Sequence, residues 1–592
     1  MILQALDRYY DRMAARGEAE PPGWAKAPIG WAIELSPEGE PLAVLQLTDP
    51  ASKKPRPALL SVPAPVKRTV AIAPNTFWDK TAYVLGRTAG EGKRTAEEHA
   101  AFKSATFDLI GDSDDEGLLA LRRFLERWRP EQFDAAPFQP EMLDGNVVFR
   151  FAGEHGYIHE RPAAKALLRR EAAEPTEDAE ICLITGVRAP PHRLHPTIKG
   201  VNGAQSSGAS LVSFNLDAFK SYGREQGANA PTSEAAAERY GAALNAMLAS
   251  GERSRLRRGV GDATVIFWAD AAEAAAGAAE AVFADVFAPP QDDGDIGETA
   301  KLRDVLAALA EGRPQAAWPD LRPGVRFHVL GLSPNAARLS VRFWLSDSFD
   351  AFARAILRHM DDIAIDPAPR GWTGKKGPPE IWRLLVKTTA LQEKFENVPP
   401  LLAGELARAV LGGGPYPRGW LTAAIIRLRA GDDASSGWHA AAIKACINRN
   451  PKEEDLPVAL DRENPSPAYQ LGRLFAVCEA AQYAALGRVN ATVADRYYAA
   501  ASSTPARVFA ALLRNARAHI SDARKRGGGL WIEKKLDEIV GRLPPDLPTT
   551  LRLEDQGRFA VGYYHERAAS RPAASPAEVT EDPDAEPATA EG

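Results

Sequence analysis

The sequence predicts an α+β protein in which a β-rich, mixed N-terminal part precedes a C-terminal helical bundle. A run rich in proline and glycine, residues 367–379, interrupts the chain. Beyond it, segments 468–486 and 506–525 carry apolar residues at helical spacing, as bundle helices do. Before it, strand-like alternation of apolar and polar residues recurs along 29–35, 41–47, 326–332 and 338–344.

The length predicts several domains, because 592 residues exceed what one hydrophobic core usually holds. Composition shifts and breaks place the predicted boundaries. They give a first α+β unit over 1–175, a second over 176–366, a linker over 367–395, a helical bundle over 396–567 and a disordered acidic tail over 568–592.

Charge and cysteine content predict the compartment. The net charge of −6 comes from the tail: residues 578–592 hold six carboxylates and no Lys or Arg, so the remaining chain is neutral. Local basic clusters on a neutral body can still bind phosphates. Three widely spaced cysteines and charges within the first helix, predicted over 1–16, indicate a cytoplasmic protein without a signal peptide. No apolar run is long enough to span a membrane.

The N-terminal half offers two stretches with nucleic-acid chemistry. Lys67 and Arg68 end a basic, proline-rich segment, 50–68, which is either a DNA-facing arm or a solvated connection. Asn75 and Lys80 follow, among three aromatics: Phe77, Trp78 and Tyr83. Amides can pair with base edges and aromatics can stack on bases, but these aromatics are also typical core residues.

The central stretch, residues 199–215, begins as a glycine- and amide-rich loop and ends in alternation. Three glycines within nine residues permit positive φ or a close backbone approach. The polar side chains suit contact with a polar polymer, although a turn entering a buried strand has a similar composition. They are Lys199, Asn202, Gln205, Ser206 and Ser207.

Three further groups of basic residues follow. The first has four arginines within six residues, which either hold phosphates or form a solvated charge run: Arg253, Arg255, Arg257 and Arg258. The second belongs to the hairpin predicted over 326–344, whose Arg326, Arg338 and Arg342 share one alternation phase and predict a basic face. The third lines the last long helix, predicted to start with Thr504 as N-cap and Pro505 at its first position: Arg514, Arg517, Arg524 and Lys525.

Catalysis and metal binding are not predicted. Cys182 starts a knuckle-like sequence, but Thr185 stands where a second thiolate ligand would be, and a zinc site needs four ligands. Ser206 or Ser207 with His195 as base lacks the strand–elbow–helix pattern of serine hydrolases. No clustered carboxylates suit a two-metal nuclease. We therefore expect no enzyme activity, no cofactor and no metal.

Four stretches resemble the large subunit of type I-C CRISPR interference complexes (Cascade): 74–86, 199–231, 261–270 and 468–510. The resemblance implies a crRNA-guided surveillance role in antiviral defence. Such subunits recognise the protospacer-adjacent motif (PAM) on double-stranded DNA, start duplex opening, stabilise the R-loop and help recruit the helicase–nuclease. The implied partners are crRNA, target DNA, and the backbone, crRNA-processing and small subunits.

On this basis the candidate residues divide by ligand. DNA or PAM candidates are Asn75, Lys80, Lys67, Arg68, Asn202, Gln205, Ser206 and Ser207. Phosphate or crRNA candidates are Lys199, Arg253, Arg255, Arg257, Arg258, Arg338 and Arg342. R-loop groove candidates are Arg514, Arg517, Arg524 and Lys525. The alternatives are a scaffold that contacts crRNA without reading DNA, and a nuclease.

The helical part resembles the small subunit, which this family also makes separately by internal translation. No methionine follows Met360, so an internal start here would need a different codon. Val386 and Leu391 are candidate positions for it. The separate product is the point at which this chain departs from the family pattern.

Overall fold

The computed structural model divides into two compact units. The first comprises Met1–Pro196 and Val212–Leu244, and the second comprises Thr197–Leu211 and the chain from Asn245 onward. The structure describes residues 1–21, 23–48, 56–66, 68, 72–173, 179–249, 254–287, 304–308, 310, 311, 313, 320, 324–372, 379–449, 455–487, 489–526 and 529–570.

The α-helices and strands alternate in the first half of the chain and give way to helices in the second. Up to residue 248 they are α1 (Ile2–Ala15), β1 (Trp24–Ile29), β2 (Trp31–Leu35), β3 (Pro41–Gln46), β4 (Ala58–Pro63), β5 (Asp79–Lys80), α2 (Thr81–Val84), α3 (Thr95–Ile110), α4 (Glu116–Arg127), β6 (Asn146–Phe151), α5 (Pro162–Ala173), β7 (Glu180–Ile181), β8 (Arg188–Ala189), β9 (Thr197–Ile198), β10 (Ala209–Ser210) and α6 (Glu234–Leu248).

Beyond residue 248, three more strands precede a run of helices. These elements are β11 (Thr264–Asp270), α7 (Glu273–Phe287), β12 (Arg326–Asn335), β13 (Arg338–Ser348), α8 (Phe349–Ile363), α9 (Ile381–Thr389), α10 (Pro400–Gly412), α11 (Arg418–Arg429), α12 (Trp438–Asn448), α13 (Pro467–Leu486), α14 (Val493–Ala501), α15 (Pro505–Lys525), α16 (Leu530–Val540) and α17 (Leu553–Ala569). This order confirms the predicted α+β class with a helical C-terminal part.

The first unit is built on a four-stranded sheet in the order β3-β2-β6-β5, with β1 and β4 forming a separate pair. The predicted β2–β3 hairpin is confirmed, because its strands pair antiparallel from Trp31 opposite Gln46. Its turn requires Gly39, whose φ is +82° and whose Cβ would lie 2.5 Å from the Phe124 nitrogen. The same turn therefore sets how closely α4 approaches the sheet.

The aromatics of the 74–86 stretch belong to the core of the first unit. Phe77, Trp78 and Tyr83 are 1%, 3% and 6% exposed. Phe77 and Tyr83 pack with α3, α4 and β6 residues, while Trp78 packs beside β1 and β4 and its Nε1 donates to the Pro63 carbonyl at 2.8 Å. Of the two alternatives for these three rings, the structure supports the core role.

The second unit contains a five-stranded sheet in the order β11-β12-β13-β10-β9. The predicted hairpin is confirmed as β12–β13, but its turn lies at residues 336 and 337 and not at 333–335. Residues 327–333 of β12 are all buried, so this strand is covered on both faces. A bulge between Gly331 and Leu332 also interrupts the alternation. The predicted basic hairpin face is therefore wrong.

Helices follow the sheet; one hydrophobic cluster combines strands of the sheet with helices, and a second is built from helices further along the chain. The sequence predicts helices over 347–363, 401–410, 421–430, 438–448, 468–486, 491–501 and 506–525. They are confirmed as α8 and α10–α15, with α12 matching its predicted bounds. Thr504 is the N-cap residue of α15 and Pro505 occupies the first position, both as predicted, but the Thr504 side chain makes no capping hydrogen bond and its hydroxyl donates to the Ala500 carbonyl at 3.2 Å. None of the described helices combines the length and the apolar character needed to cross a membrane.

The predicted domain boundaries stay a prediction, with two observations beside them. Helix α9 lies inside the predicted linker, 367–395, and its Leu384 and Leu385 are buried in the cluster that covers the sheet. Helix α17 extends two residues into the predicted tail, 568–592, and the tail from 571 onward lies outside the described residues.

Candidate nucleic-acid interface

The first candidate segment is organised by Asp79, which is 1% exposed. Its carboxylate accepts from the Asn75 backbone at 2.8 Å and from Arg68 Nη1 at 3.0 Å. The guanidinium of Arg68 also lies 4.1 Å from the centroid of the Tyr83 ring, close enough for a cation–π contact. A buried carboxylate thus ties together a loop that the sequence predicted to contact DNA.

The same contacts determine what this segment exposes. Asn75 is 7% exposed and its Oδ1 accepts from the Val66 nitrogen at 2.9 Å, so its amide oxygen is used within the loop. The charge of Arg68 is balanced by Asp79. Lys80, the last residue of β5, is exposed, and Lys67 lies outside the described residues. DNA contact by these four residues stays a prediction, and Lys80 is the most accessible of those described.

The central stretch forms the loop between β9 and β10 at one edge of the second unit's sheet. We call residues 199–208 the edge loop. Its Val201 and Gly208 are buried, while its predicted ligand-binding side chains are exposed. Gly200 has φ +83°, and a Cβ there would lie 2.6 Å from the Leu248 carbonyl oxygen, so only glycine fits. The exposed side chains are Lys199, Asn202, Gln205, Ser206 and Ser207.

Side chains from outside the loop hold its backbone. Asn245 Oδ1 accepts from the Lys199 nitrogen at 2.8 Å, and Thr264 Oγ1 accepts from the Asn202 nitrogen at 2.9 Å. Arg255 Nη2 donates to Asn202 Oδ1 at 2.7 Å, and its Nη1 donates to the Leu248 carbonyl at 2.7 Å. The Gly208 nitrogen donates to the Gln205 carbonyl at 2.9 Å and closes the tip. The loop is thus a fixed scaffold for its exposed groups.

The basic residues near this sheet divide into bonded and accessible ones. Arg342 forms two hydrogen bonds with Asp262, at 3.1 and 2.5 Å, which raise the pKa of this guanidinium. Arg338 starts β13 opposite Ser210 and is half-buried. Arg257 is exposed.

Arg258 stacks on the Trp382 ring at 4.4 Å from the centroid. Arg253 lies outside the described residues. The structure therefore brings Arg255 to the edge loop and leaves Arg257 open to a ligand.

Helix α15 presents the basic residues that were predicted for an R-loop groove. Arg514 and Arg517 are exposed. Arg524 pairs with Glu533, and Lys525 Nζ lies 2.8 Å from Asp522 Oδ1, so these two charges are balanced by neighbouring carboxylates. Arg514 and Arg517 are consequently the stronger phosphate candidates on this helix.

Cys182 is a hydrogen-bonded thiol. The nitrogen and the hydroxyl of Ser233 lie 3.3 and 3.5 Å from its Sγ. Burial raises the pKa of this thiol, but hydrogen bonds from Ser233 and Thr185 outweigh burial and bring the pKa to about 7. Across the described residues, no three His, Cys, Asp or Glu side chains come together as metal ligands do.

Comparison with known proteins gives one decisive match. The family model described as CRISPR-associated protein (Cas_Csd1) covers residues 6–571, nearly the whole chain. The chain belongs to the Cas_Csd1 family. This family is the large subunit of type I-C systems, which confirms the predicted resemblance. A search of curated proteins found no match.

Membership in the Cas_Csd1 family establishes a role in a CRISPR system and implies other CRISPR-associated subunits as partners. It covers both compact units, including the edge loop and α15. The match therefore concerns the whole arrangement of sheet and helices and not one motif.

Sequence reasoning assigned no role to several accessible aromatics of this Cas_Csd1 chain. Tyr222 is 100% exposed with φ +52°, at the tip of a turn closed by the Arg224 nitrogen on the Ser221 carbonyl at 2.9 Å. Tyr483 and Trp531 are 40% and 45% exposed on α13 and α16. A tyrosine directly before Gly223 in a polar stretch is a weak signal for such a turn. Nothing in the sequence indicates that the other two line one cavity.

Proposed function

We propose that this Cas_Csd1 chain is the subunit of a crRNA-guided surveillance complex that recognises the PAM on double-stranded DNA, starts duplex opening and stabilises the R-loop. In this proposal it also helps to recruit the helicase–nuclease. In an RNA-guided complex, the guide RNA reads the target sequence by base pairing, so the protein needs to read only a short motif and the DNA backbone.

The observation that carries the proposal is the edge loop. Gln205, Ser206 and Ser207 are uncharged hydrogen-bonding side chains exposed at the tip of a loop whose backbone is fixed. Amide side chains pair with base edges, and readout needs them held on a rigid support. The exposed Lys199 starts the same loop and supplies a positive charge for the phosphate backbone.

The test uses the reconstituted complex and short duplexes with and without a PAM at fixed salt. Gln205→Ala should weaken binding of the PAM-bearing duplex by about 1–3 kcal/mol and leave both the PAM-free duplex and the melting temperature unchanged. Gln46→Ala is the matched control, because Gln46 is an exposed glutamine in β3 of the first unit. PAM-blind weakening by Gln205→Ala would contradict base readout by this loop.

Arg257→Ala tests phosphate contact separately. Losing one exposed guanidinium should weaken all duplexes equally and reduce the slope of log affinity against log salt by about one. Arg342→Ala provides the comparison, because Arg342 is paired with Asp262 and should change protein stability more than the salt slope.

The scaffold role remains the second candidate function. It is favoured by Asn75, whose amide oxygen is used inside its own loop. Asn75→Ala should therefore lower the melting temperature, and a scaffold predicts unchanged relative PAM preference for this variant. We also propose that the chain has no nuclease activity, which is tested by incubating it with labelled DNA and Mg²⁺ or Mn²⁺ in the absence of a helicase–nuclease.

A further inference from the structure

The helical part of the second unit contains an open cavity of about 420 Å³, which we call the bundle cavity. Its lining comes from α13, α16 and α17. The α13 residues recur at helical spacing on one face, and three of them are alanines, whose small side chains leave the space empty. This volume lies within the ~300–1,000 Å³ typical of small-ligand sites. The lining includes Glu479, Tyr483, Ala484, Trp531 and Arg567.

Two large aromatic side chains stand at this cavity without being buried. Tyr483 and Trp531 are 40% and 45% exposed, although burying such rings is favourable. Lys535 Nζ lies 5.6 Å from the centroid of the Trp531 ring, so the indole also has a cation beside it. These half-exposed rings lie beside the small alanine side chains of α13, so their faces are open for another flat ring to stack on.

The Glu479–Arg567 pair at the cavity includes a buried hydrogen-bond donor that lacks an acceptor. Glu479, 2% exposed, accepts from Tyr563 Oη and from Arg567 Nε, each at 2.8 Å. Arg567 Nη1 is buried and has no hydrogen-bond partner among the described residues. A buried donor without a partner is unfavourable, so an acceptor from a ligand is stabilised there once Arg567 moves enough to expose Nη1, which is closed to solvent in this structure.

Charge balance narrows the chemistry of the ligand. The positive charge of Arg567 is paired with Glu479, so this pair is neutral overall and offers little net attraction for an anion. A neutral, planar ligand with an acceptor on its edge fits better. Nucleobases have this chemistry, since each has two aromatic faces and acceptor atoms on its edge. An apolar protein side chain would cover the rings but leave Arg567 Nη1 without an acceptor.

The basic end of α15 adjoins the cavity. Arg526 Nη1 donates to the carbonyl of Ala485, the residue after Ala484 of the lining, at 2.5 Å. Arg524 pairs with Glu533, two residues beyond Trp531. Phosphates bound by the exposed Arg514 and Arg517 would place a strand on the same helix whose end adjoins the cavity.

We propose that the bundle cavity binds one unstacked nucleobase of single-stranded DNA, stacked on Tyr483 and Trp531 and accepting a hydrogen bond from Arg567. The proposal rests on the proposed function, in which a displaced strand is available. Duplex DNA does not satisfy it, because paired bases are stacked and their edges are occupied. Since all bases have acceptors and flat faces, the cavity should tolerate any sequence.

The experiment measures binding of fluorescent oligothymidylate to the full chain by anisotropy, beside an abasic strand of equal length with the same phosphates. Wild type should bind oligothymidylate more tightly than the abasic strand. Trp531→Ala should weaken oligothymidylate binding on the order of 10-fold, leave the abasic strand unaffected and leave the salt slope unchanged. Leu530→Ala is the matched control, because Leu530 is a neighbouring residue, 55% exposed, that does not line the cavity.

Equal affinity of wild type for the two strands, or equal weakening of both by Trp531→Ala, would overturn the proposal. Tyr483→Ala, with circular dichroism as a folding check, gives a second variant for the same comparison. Thymidine monophosphate that binds as tightly as the strand would assign the cavity to a free nucleotide instead. The PAM test uses duplexes and edge-loop variants, whereas this experiment uses single strands and Trp531→Ala. Each test can therefore fail while the other gives its expected result.

Discussion

Glu566 provides a sharp test of how the helical part is held together. This carboxylate is 0% exposed in α17 and accepts from Lys535 Nζ at 2.6 Å and Arg473 Nε at 2.9 Å. Arg473 is itself 1% exposed and also donates to the Arg462 carbonyl at 3.0 Å. One buried anion thus balances two cations from two other helices, α13 and α16.

Replacing Glu566 by glutamine keeps the volume of the side chain and removes its charge. The change leaves Arg473 buried without its main counter-ion, and breaking a buried pair in this way costs about 3–5 kcal/mol. Total stabilities of about 5–15 kcal/mol make this a large fraction of the free energy of unfolding. We therefore expect Glu566→Gln to shift the denaturation of the second unit strongly.

The measurement is urea denaturation followed by circular dichroism and tryptophan fluorescence. Glu463→Gln is the matched control, since Glu463 makes a similar two-bond contact with Arg542 but its side chain is 77% exposed. Exposed pairs of this kind contribute little, so the control should unfold like wild type. A Glu566→Gln midpoint that coincides with the control would refute the reasoning.

The contacts of Glu566 also predict that the stability of the second unit depends on pH. Burial alone raises the pKa of Glu566, but hydrogen bonds from Lys535 and Arg473 outweigh burial and hold the pKa below its ordinary 4.5. The ionised form is therefore favoured by folding, and this stabilisation is present above pH 4.5 and is lost as the pH falls through the lower folded pKa. Glu566→Gln should lack this part of the acid destabilisation.

Three further predictions concern backbone strain and buried histidines. Gly200→Ala should lower stability by about 1–3 kcal/mol in thermal melting, because φ is +83° and Cβ would lie 2.6 Å from a carbonyl oxygen. Tyr222→Asn should raise the melting temperature slightly, because asparagine tolerates φ +52° and the exposed ring loses no packing; a lower temperature would contradict this. Burial lowers the pKa of His159, His195 and His565 to about 4, and that of His359 to about 3, from 6.5. The unfolded chain binds more protons than the folded chain in this range, so the urea midpoint should decrease as the pH is lowered from 7 to 5. A urea midpoint that does not change with pH would argue against neutral buried histidines.

Helices with one apolar face, such as α15, were predictable from the spacing of their apolar residues. The bounds of α12 also agree, although this helix is buried on every face, because polar segments flank its apolar run. Helix α17 was missed because residues 559–566 are all buried, so its buried residues lie on every face and its apolar residues show no single stripe. The two-residue strands β9 and β10 could not be predicted from local pattern either, since they are defined by pairing: β9 pairs with β10, and β10 pairs with the distant β13.

Some features of the candidate interface were also predictable from local sequence, and others depend on the fold. Composition was enough to predict the exposed polar tip of the edge loop. It could not reveal that Asn75 serves its own loop, or that Arg342 is bound by Asp262, because these partners depend on the fold. The Glu479–Arg567 pair of the bundle cavity joins residues 88 positions apart, which no local spacing rule detects.

The place of β10 in the second unit's sheet has a consequence during synthesis on the ribosome. Its pairing partner is β13, and Arg338 is translated 128 residues after Ser210. At roughly 5–20 residues per second, the partner strand begins to appear about 6–26 seconds later. For that interval the nascent chain carries the edge loop and its flanking strands without the strand that completes them. Chains that end between 211 and 338 therefore keep an open sheet edge permanently, and such truncations should aggregate more readily than the complete protein.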